Sequence, residues 1–282
     1  MGKIIPQKSY EERSSAFDWN SLTLANAYVF ATVMKNKAIC KGMLERFLDQ
    51  RISDFTYLEA EKTMDLGPLS KSVRLDVYVE SSEDTTFDIE MQAQDTGELE
   101  KRARYHRSII DIESLEKGRD YRQLGDSYVI FICRKDVFRQ GQYRYTFKSS
   151  CEEVANLKLN DGSYILFFYT KGIKGEISKE LKALFDYMEG KFSDDSFVQL
   201  VDREVQRIKN NARWRRDYMI QRDYRMDYIE EGREEGRIEG REEGRIEGKV
   251  EMVKKMLEAN LSLKEVVKIS GLSMEKIRSL AS

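Results

Sequence analysis

The chain has 282 residues, with 48 basic and 50 acidic side chains for a net charge of −2, which excludes a molecule-wide basic surface and leaves only local patches for any polyanion. A single histidine, His106, excludes a histidine-rich metal centre, and three scattered cysteines, Cys40, Cys133 and Cys151, without a CxxC pair point away from a cysteine zinc site or a disulfide framework. With no Gly-x-x-x-x-Gly-Lys-Ser/Thr loop, no apolar run long enough for a bilayer and no apolar leader, the expectation is a cytoplasmic protein that works with carboxylates, whose usual cations are Mg²⁺ or Mn²⁺.

Residues 20–50 read as helical, with Leu24, Ala27, Phe30, Ala31 and Met34 at helical spacing and a second run, Ile39, Met43, Phe47 and Leu48, after a break at Asn36. A short strand is expected over 54–63. Residues 73–80 (VRLDVYVE) and 86–92 (TFDIEMQ) alternate strictly between apolar and polar and read as two half-buried strands. The SSEDT segment between them makes a turn, so the pair forms a hairpin. A turn centred on Glu83 sets Asp76 opposite Glu90 and Tyr78 opposite Asp88, and alternation puts Glu90 and Gln92 on one face. Like charges facing each other across a ladder repel, and a divalent cation is the ordinary remedy. Gln92 has no basicity, but its amide can orient a water or a phosphate oxygen. The competing reading is a solvated acidic face on an edge hairpin.

Residues 97–117 form a basic helix stopped by Gly118, with Leu99, Ala103, Ile109 and Ile110 as its core side; His106 reads as a packing or surface residue. DSYVIFIC (126–133) is a buried strand, YRYTFKS and SYILFFYT are further strands, and 176–190 is an amphipathic helix. The element order makes the chain mixed α/β. Beyond about residue 195 the composition changes. A basic, aromatic stretch (203–225) precedes a repeat with glycine at 232, 236, 240, 244 and 248, read as an extended helical linker that could pair with a second copy. Residues 251–282 resemble a helix-turn-helix, with Gly271 in the turn and Val266, Val267, Leu272, Ile277 and Leu280 buried; a bare three-helix packing or oligomerisation module is the competing reading. The expected division is 1–195, 196–250 and 251–282.

In order along the chain, RLDVYVE, DIEMQ, KRARYHRSIIDIESLEKGRDYRQL and DSYVIFIC resemble a bacterial family of recombination-promoting nucleases and transposases within the PD-(D/E)XK superfamily. The resemblance covers about residues 20–190. It implies a restriction-endonuclease-like sheet core flanked by helices, DNA as substrate and Mg²⁺-dependent cleavage. It implies Asp76 and Glu90 as metal ligands and Gln92 at the position of the superfamily's usual lysine, where this family also carries glutamine. Arg102 and Tyr105 match residues that recur in the family, and arginine's fork suits a phosphate. The chain departs from the superfamily at its first helix, where Asn26 and Ala27 stand in place of an acidic residue; Glu59 and Glu61 are the candidate substitutes. Three readings follow: a metal-dependent DNA endonuclease; a DNA-binding or assembly protein that keeps the nuclease fold with cleavage weakened or lost; or a structural helical oligomer driven by the tail, which would leave the central motifs unexplained.

Overall fold

The computed structural model describes residues 17–64, 72–94, 97–259 and 261–281. The chain divides into two compact units, Met1–Arg216 and Asp217–Ser282. The first is built on a mixed sheet of six strands: β1 (Phe55–Met64), β2 (Val73–Ser81), β3 (Thr86–Gln92), β4 (Ser127–Cys133), β5 (Arg144–Phe147) and β6 (Ser163–Tyr169), in the spatial order β1-β2-β3-β4-β6-β5. The first three strands form an antiparallel meander, β3, β4 and β6 run parallel, and β5 closes the far edge antiparallel to β6.

Through its middle the central strand β4 is apolar on both faces. In β4, Val129, Ile130, Phe131 and Ile132 are all buried, as expected for parallel strands covered on both sides. Parallel β3 and β4 need a crossover, and this is α3 (Leu99–Ser114), preceded in sequence by α1 (Ala27–Met34) and α2 (Lys37–Leu48). α3 lies on one face of the sheet, where Leu99, Ala103, Ile109 and Ile110 join Val129, Phe131, Cys133 and Phe167 in one cluster. The opposite face packs against α1 and against helices α4 (Lys179–Met188) and α5 (Ser196–Lys209) with α2, as the Phe47–Phe168 and Phe168–Phe185 contacts at 5.2 and 5.9 Å show. The result is a sheet flanked by helices on both sides.

The break expected at Asn36 separates two helices, because Asn36 starts the second one: its side chain accepts from the N–H groups of Ala38 and Ile39, while Asp49 in the left-handed region ends it. The first unit runs to Arg216, past the composition change near residue 195. The reason is α5, which buries Val198, Val201, Val205 and Ile208, and whose last residue, Lys209, gives its carbonyl to the indole N–H of Trp19 at 2.8 Å.

Helix α6 (Ala212–Glu258) carries the chain from the first unit into the second, followed by α7 (Leu263–Ser270) and α8 (Met274–Ala281). The glycine repeat is helical, and a Cβ at any of its five glycines would meet nothing within 4 Å. The second unit's small core is Val253, Val266 and Ile277, with Val267 and Leu272 partly buried around it. Gly271, at φ 67°, ends α7, whose start carries a reciprocal Ser262–Glu265 capping box. The expected contribution of Leu280 lies outside the described side chains. Among the described residues no helix is long and apolar enough to cross a membrane.

Candidate active site

The β2–β3 ladder pairs Val77 with Ile89, Tyr78 with Asp88, Val79 with Phe87 and Glu80 with Thr86. That is the register expected from a turn centred on Glu83. Continued by one step it sets Asp76 abreast of Glu90, but there the backbone ladder stops and side chains take over. The Asp76 N–H donates to Glu90 Oε1 at 2.8 Å, and the Met91 N–H donates to Asp76 Oδ2 at 2.9 Å. Each carboxylate thus satisfies an amide that the sheet would otherwise have used, and each has one oxygen fixed by backbone.

Asp88, Glu90 and Gln92 pair in register with Val129, Phe131 and Cys133 of β4, so they face α3. Asp88 and Glu90 have no solvent exposure, while Gln92, at the end of β3, is partly exposed. Helix α3 brings two groups down onto them. Arg102 donates from Nη2 to Glu90 Oε2 at 2.5 Å and from Nε to His106 Nε2 at 3.3 Å. His106, buried and tilted over the Phe131 ring at 5.9 Å, meets Asp88 Oδ2 through Nδ1 at 2.8 Å. Since Nε2 accepts from Arg102, the ring proton belongs on Nδ1, which donates to Asp88. Asp88 Oδ1 is buried with no hydrogen-bond partner.

Taking carboxylates out of water raises their pKa. Burial pushes Asp88 and Glu90 well above the ordinary carboxylate range, and the charges of neighbouring carboxylates push the same way. Asp76 is also raised by burial, against the Met91 N–H bond and the charges of Arg102 and Arg74, which pull it down. For His106 burial disfavours the imidazolium and holds the ring's pKa down to about 4, so it is neutral near pH 7. The patch therefore sets three carboxyl groups against the single positive charge of Arg102, and it contains a carboxylate oxygen that only a proton or a cation can satisfy. That donor chemistry fits a divalent metal.

Of the residues singled out from the sequence, Asp76, Glu90 and Arg102 meet at this patch. Tyr105, three residues after Arg102, is half-buried against the apolar cluster beneath α3. Asn26 serves a different purpose as the N-cap of α1, its side-chain oxygen accepting from the N–H groups of Tyr28 and Val29. Of the two candidate substitutes, Glu59 accepts from the Tyr57 hydroxyl. Glu61 lies abreast of Asp76 in the β1–β2 register, between the Ala60–Val77 and Lys62–Leu75 pairs, with a left-handed backbone (φ 62°) and its carboxylate on Arg74 at 2.9 Å.

Reading His106 as packing or surface misses its bond to Asp88. A signal was present: Leu99, Ala103, His106 and Ile110 fall at spacings of four, three and four, so the histidine sits in the helix's apolar stripe. A polar residue there must find a buried partner, and Asp88 is the polar residue of β3 that it reaches.

A family model described as PD-(D/E)XK nuclease family transposase matches residues 25–181. No curated protein and no solved structure matches the chain.

Proposed function

The chain belongs to the PD-(D/E)XK nuclease family transposases, and from that membership we propose that it is a metal-dependent DNA endonuclease hydrolysing phosphodiester bonds at the Asp76–Glu90 patch. The observation that carries the reading is the exchange of side-chain and backbone bonds where the β2–β3 ladder stops, which holds two carboxylates abreast on one face. Asp76 and Glu90 would hold Mg²⁺ or Mn²⁺; when bound, such an ion polarises the phosphodiester and lowers the pKa of a water. Gln92, on the same face two residues beyond Glu90, would orient that water or a phosphate oxygen through its amide. Arg102 is one-third exposed at its side chain, so it can release Glu90 and turn to a phosphate, for which its fork is suited. Tyr105 supports the same helix face from its half-buried position. Exposed Lys101 and Arg104 on α3 extend the positive charge along that helix and would track the DNA backbone. Promotion of recombination, or a place in a mobile element, is the cellular role this activity would serve.

Two observations favour a second reading, a DNA-binding protein without efficient cleavage: Arg102 already neutralises Glu90, and the first-helix position offers an N-cap rather than an acid. Plasmid cleavage decides between them. Purified protein with Mg²⁺ or Mn²⁺ should nick or linearise plasmid, and Asp76→Ala and Glu90→Ala should each lower the rate by at least a hundredfold. Metal-independent retardation of DNA by the unaltered protein, with no cleavage in either metal at any salt concentration, would establish the second reading instead.

A further inference from the structure

Asp88 and His106 have no role in the reading above, yet they are among the most deeply buried polar side chains of the first unit. Asp88, Glu90 and His106 each offer a ligand atom, and these atoms lie within 4.8 Å of one another. Ligands around a cation with bonds of about 2.0–2.2 Å stand roughly 3–3.5 Å apart, so about an ångström of side-chain movement closes the set. A cluster of acids alone would be no argument. Here the fully buried Asp88 Oδ1 lacks any partner, and His106 Nδ1 stands 2.8 Å from Asp88 Oδ2; a cation between them takes the Nδ1 lone pair, the ring proton moving to Nε2 once Arg102 leaves that nitrogen.

We propose that Asp88, Glu90 and His106 form a binding site for a divalent transition-metal cation, reached by displacing the Arg102 guanidinium from Glu90. The site deepens the nuclease reading by adding two ligands and a cation class to the same patch, and it shares only Glu90 with the Asp76–Glu90 pair. Two carboxylates and one imidazole select against Mg²⁺, which takes oxygen donors, and favour ions such as Mn²⁺, Fe²⁺ or Zn²⁺. Arg102 is the natural gate. Its guanidinium bridges Glu90 Oε2 and His106 Nε2, and so already places one positive charge between two of the three ligands. It is also the exposed member of the group, at 33% for the side chain against 0% for Glu90 and 2% for His106.

Because His106 is the single histidine of the chain, its ligation can be read without ambiguity. Full-length protein bearing no histidine tag is titrated with Mn²⁺, and the bound ion is examined by electron spin-echo modulation. The expected result is an imidazole nitrogen coupling that changes to the ¹⁵N pattern when only histidine is ¹⁵N-labelled. His106→Gln and Asp88→Asn should weaken Mn²⁺ binding at least tenfold, and Asp76→Asn should keep the nitrogen coupling. Bound Mn²⁺ without a histidine coupling overturns the proposal, as does failure of the unaltered protein to bind Mn²⁺. The labelled spectrum of the unaltered protein decides the matter even if His106→Gln does not fold. Plasmid cleavage with Mg²⁺, abolished by Asp76→Ala, in a protein with no histidine coupling would leave the nuclease reading standing while this one fails.

Discussion

Asp88 has one oxygen on the His106 ring and the other, Oδ1, without a donor. Glu90 has two donors, the Asp76 N–H and Arg102, which favour its ionised form. In the metal-free protein burial and the Asp76 charge favour the neutral form of Asp88. Folding raises the Asp88 pKa through burial and the Asp76 charge. The stability gained from its protonated form is thus complete below the ordinary carboxylate range and is lost as pH rises through the raised value. Asp88→Asn keeps an oxygen for His106, puts an amide N–H₂ where Oδ1 stands, and does not titrate. With metal chelated, Asp88→Asn should melt above the unaltered protein, and the gap should widen as pH is raised from about 5 to about 8.5. At the alkaline end the gain should be about 1–3 kcal/mol, the ordinary penalty for a buried unsatisfied group. Thermal melts across that range check this; a gap independent of pH would mean that Asp88 does not change charge over it. The half of this arrangement on the hairpin was legible in the sequence, since strict alternation and a short turn dictate which residues of β2 and β3 face each other. The half on α3 was not, because which strand residue meets Arg102 and His106 depends on how the β3–β4 crossover seats its helix, and no local pattern encodes that.

At the scale of elements, the first helix shows how one residue type serves two very different purposes. Asn26 stands near the position where the superfamily often carries an acid, which makes it tempting to read as a degraded ligand. Its geometry is that of a cap: extended backbone, with Oδ1 accepting from two N–H groups of the first turn of α1. Asn36 does the same for α2. The sequence showed the break at Asn36 because apolar periodicity lapses there, whereas the cap at Asn26 was hidden by Leu24 and Ala25, which are buried ahead of the helix and extend the apolar run. If Asn26 is a cap, Asn26→Ala should cost about 0.5–2 kcal/mol, and Asn26→Asp should cost little, since aspartate caps about as well. Denaturant unfolding of the three proteins gives the comparison. Metal affinity provides the control: Asn26→Asp should leave it unchanged. A rise of tenfold or more would assign the position to the metal site after all.

At the scale of the whole molecule the question is what the second unit adds to cleavage. The acidic patch, α3 and both helical layers belong to the first unit, which ends at Arg216, and among the described residues the apolar cluster under α3 draws on none beyond Phe167. Among the described residues the second unit's own apolar cluster is Val253, Val266 and Ile277. Charge points the same way. Residues 226–282 contain 11 basic and 13 acidic side chains, so removing them takes the net charge from −2 to 0 and strips no net positive charge from the protein. The phosphate-driven part of DNA affinity, which sets the salt dependence of binding, should therefore persist. A chain ending at residue 225 retains Met219, which is buried, and should keep Asp76-dependent plasmid cleavage with a rate at saturating DNA within about threefold of the full chain and with the same slope against salt. A helix-turn-helix that reads DNA would show itself as a shallower slope and a KM raised tenfold or more at an unchanged maximal rate. Loss of the maximal rate itself, in a chain whose circular dichroism shows the first unit folded, would mean that cleavage requires the second unit, as it would if two copies had to assemble through α6 before either could cut.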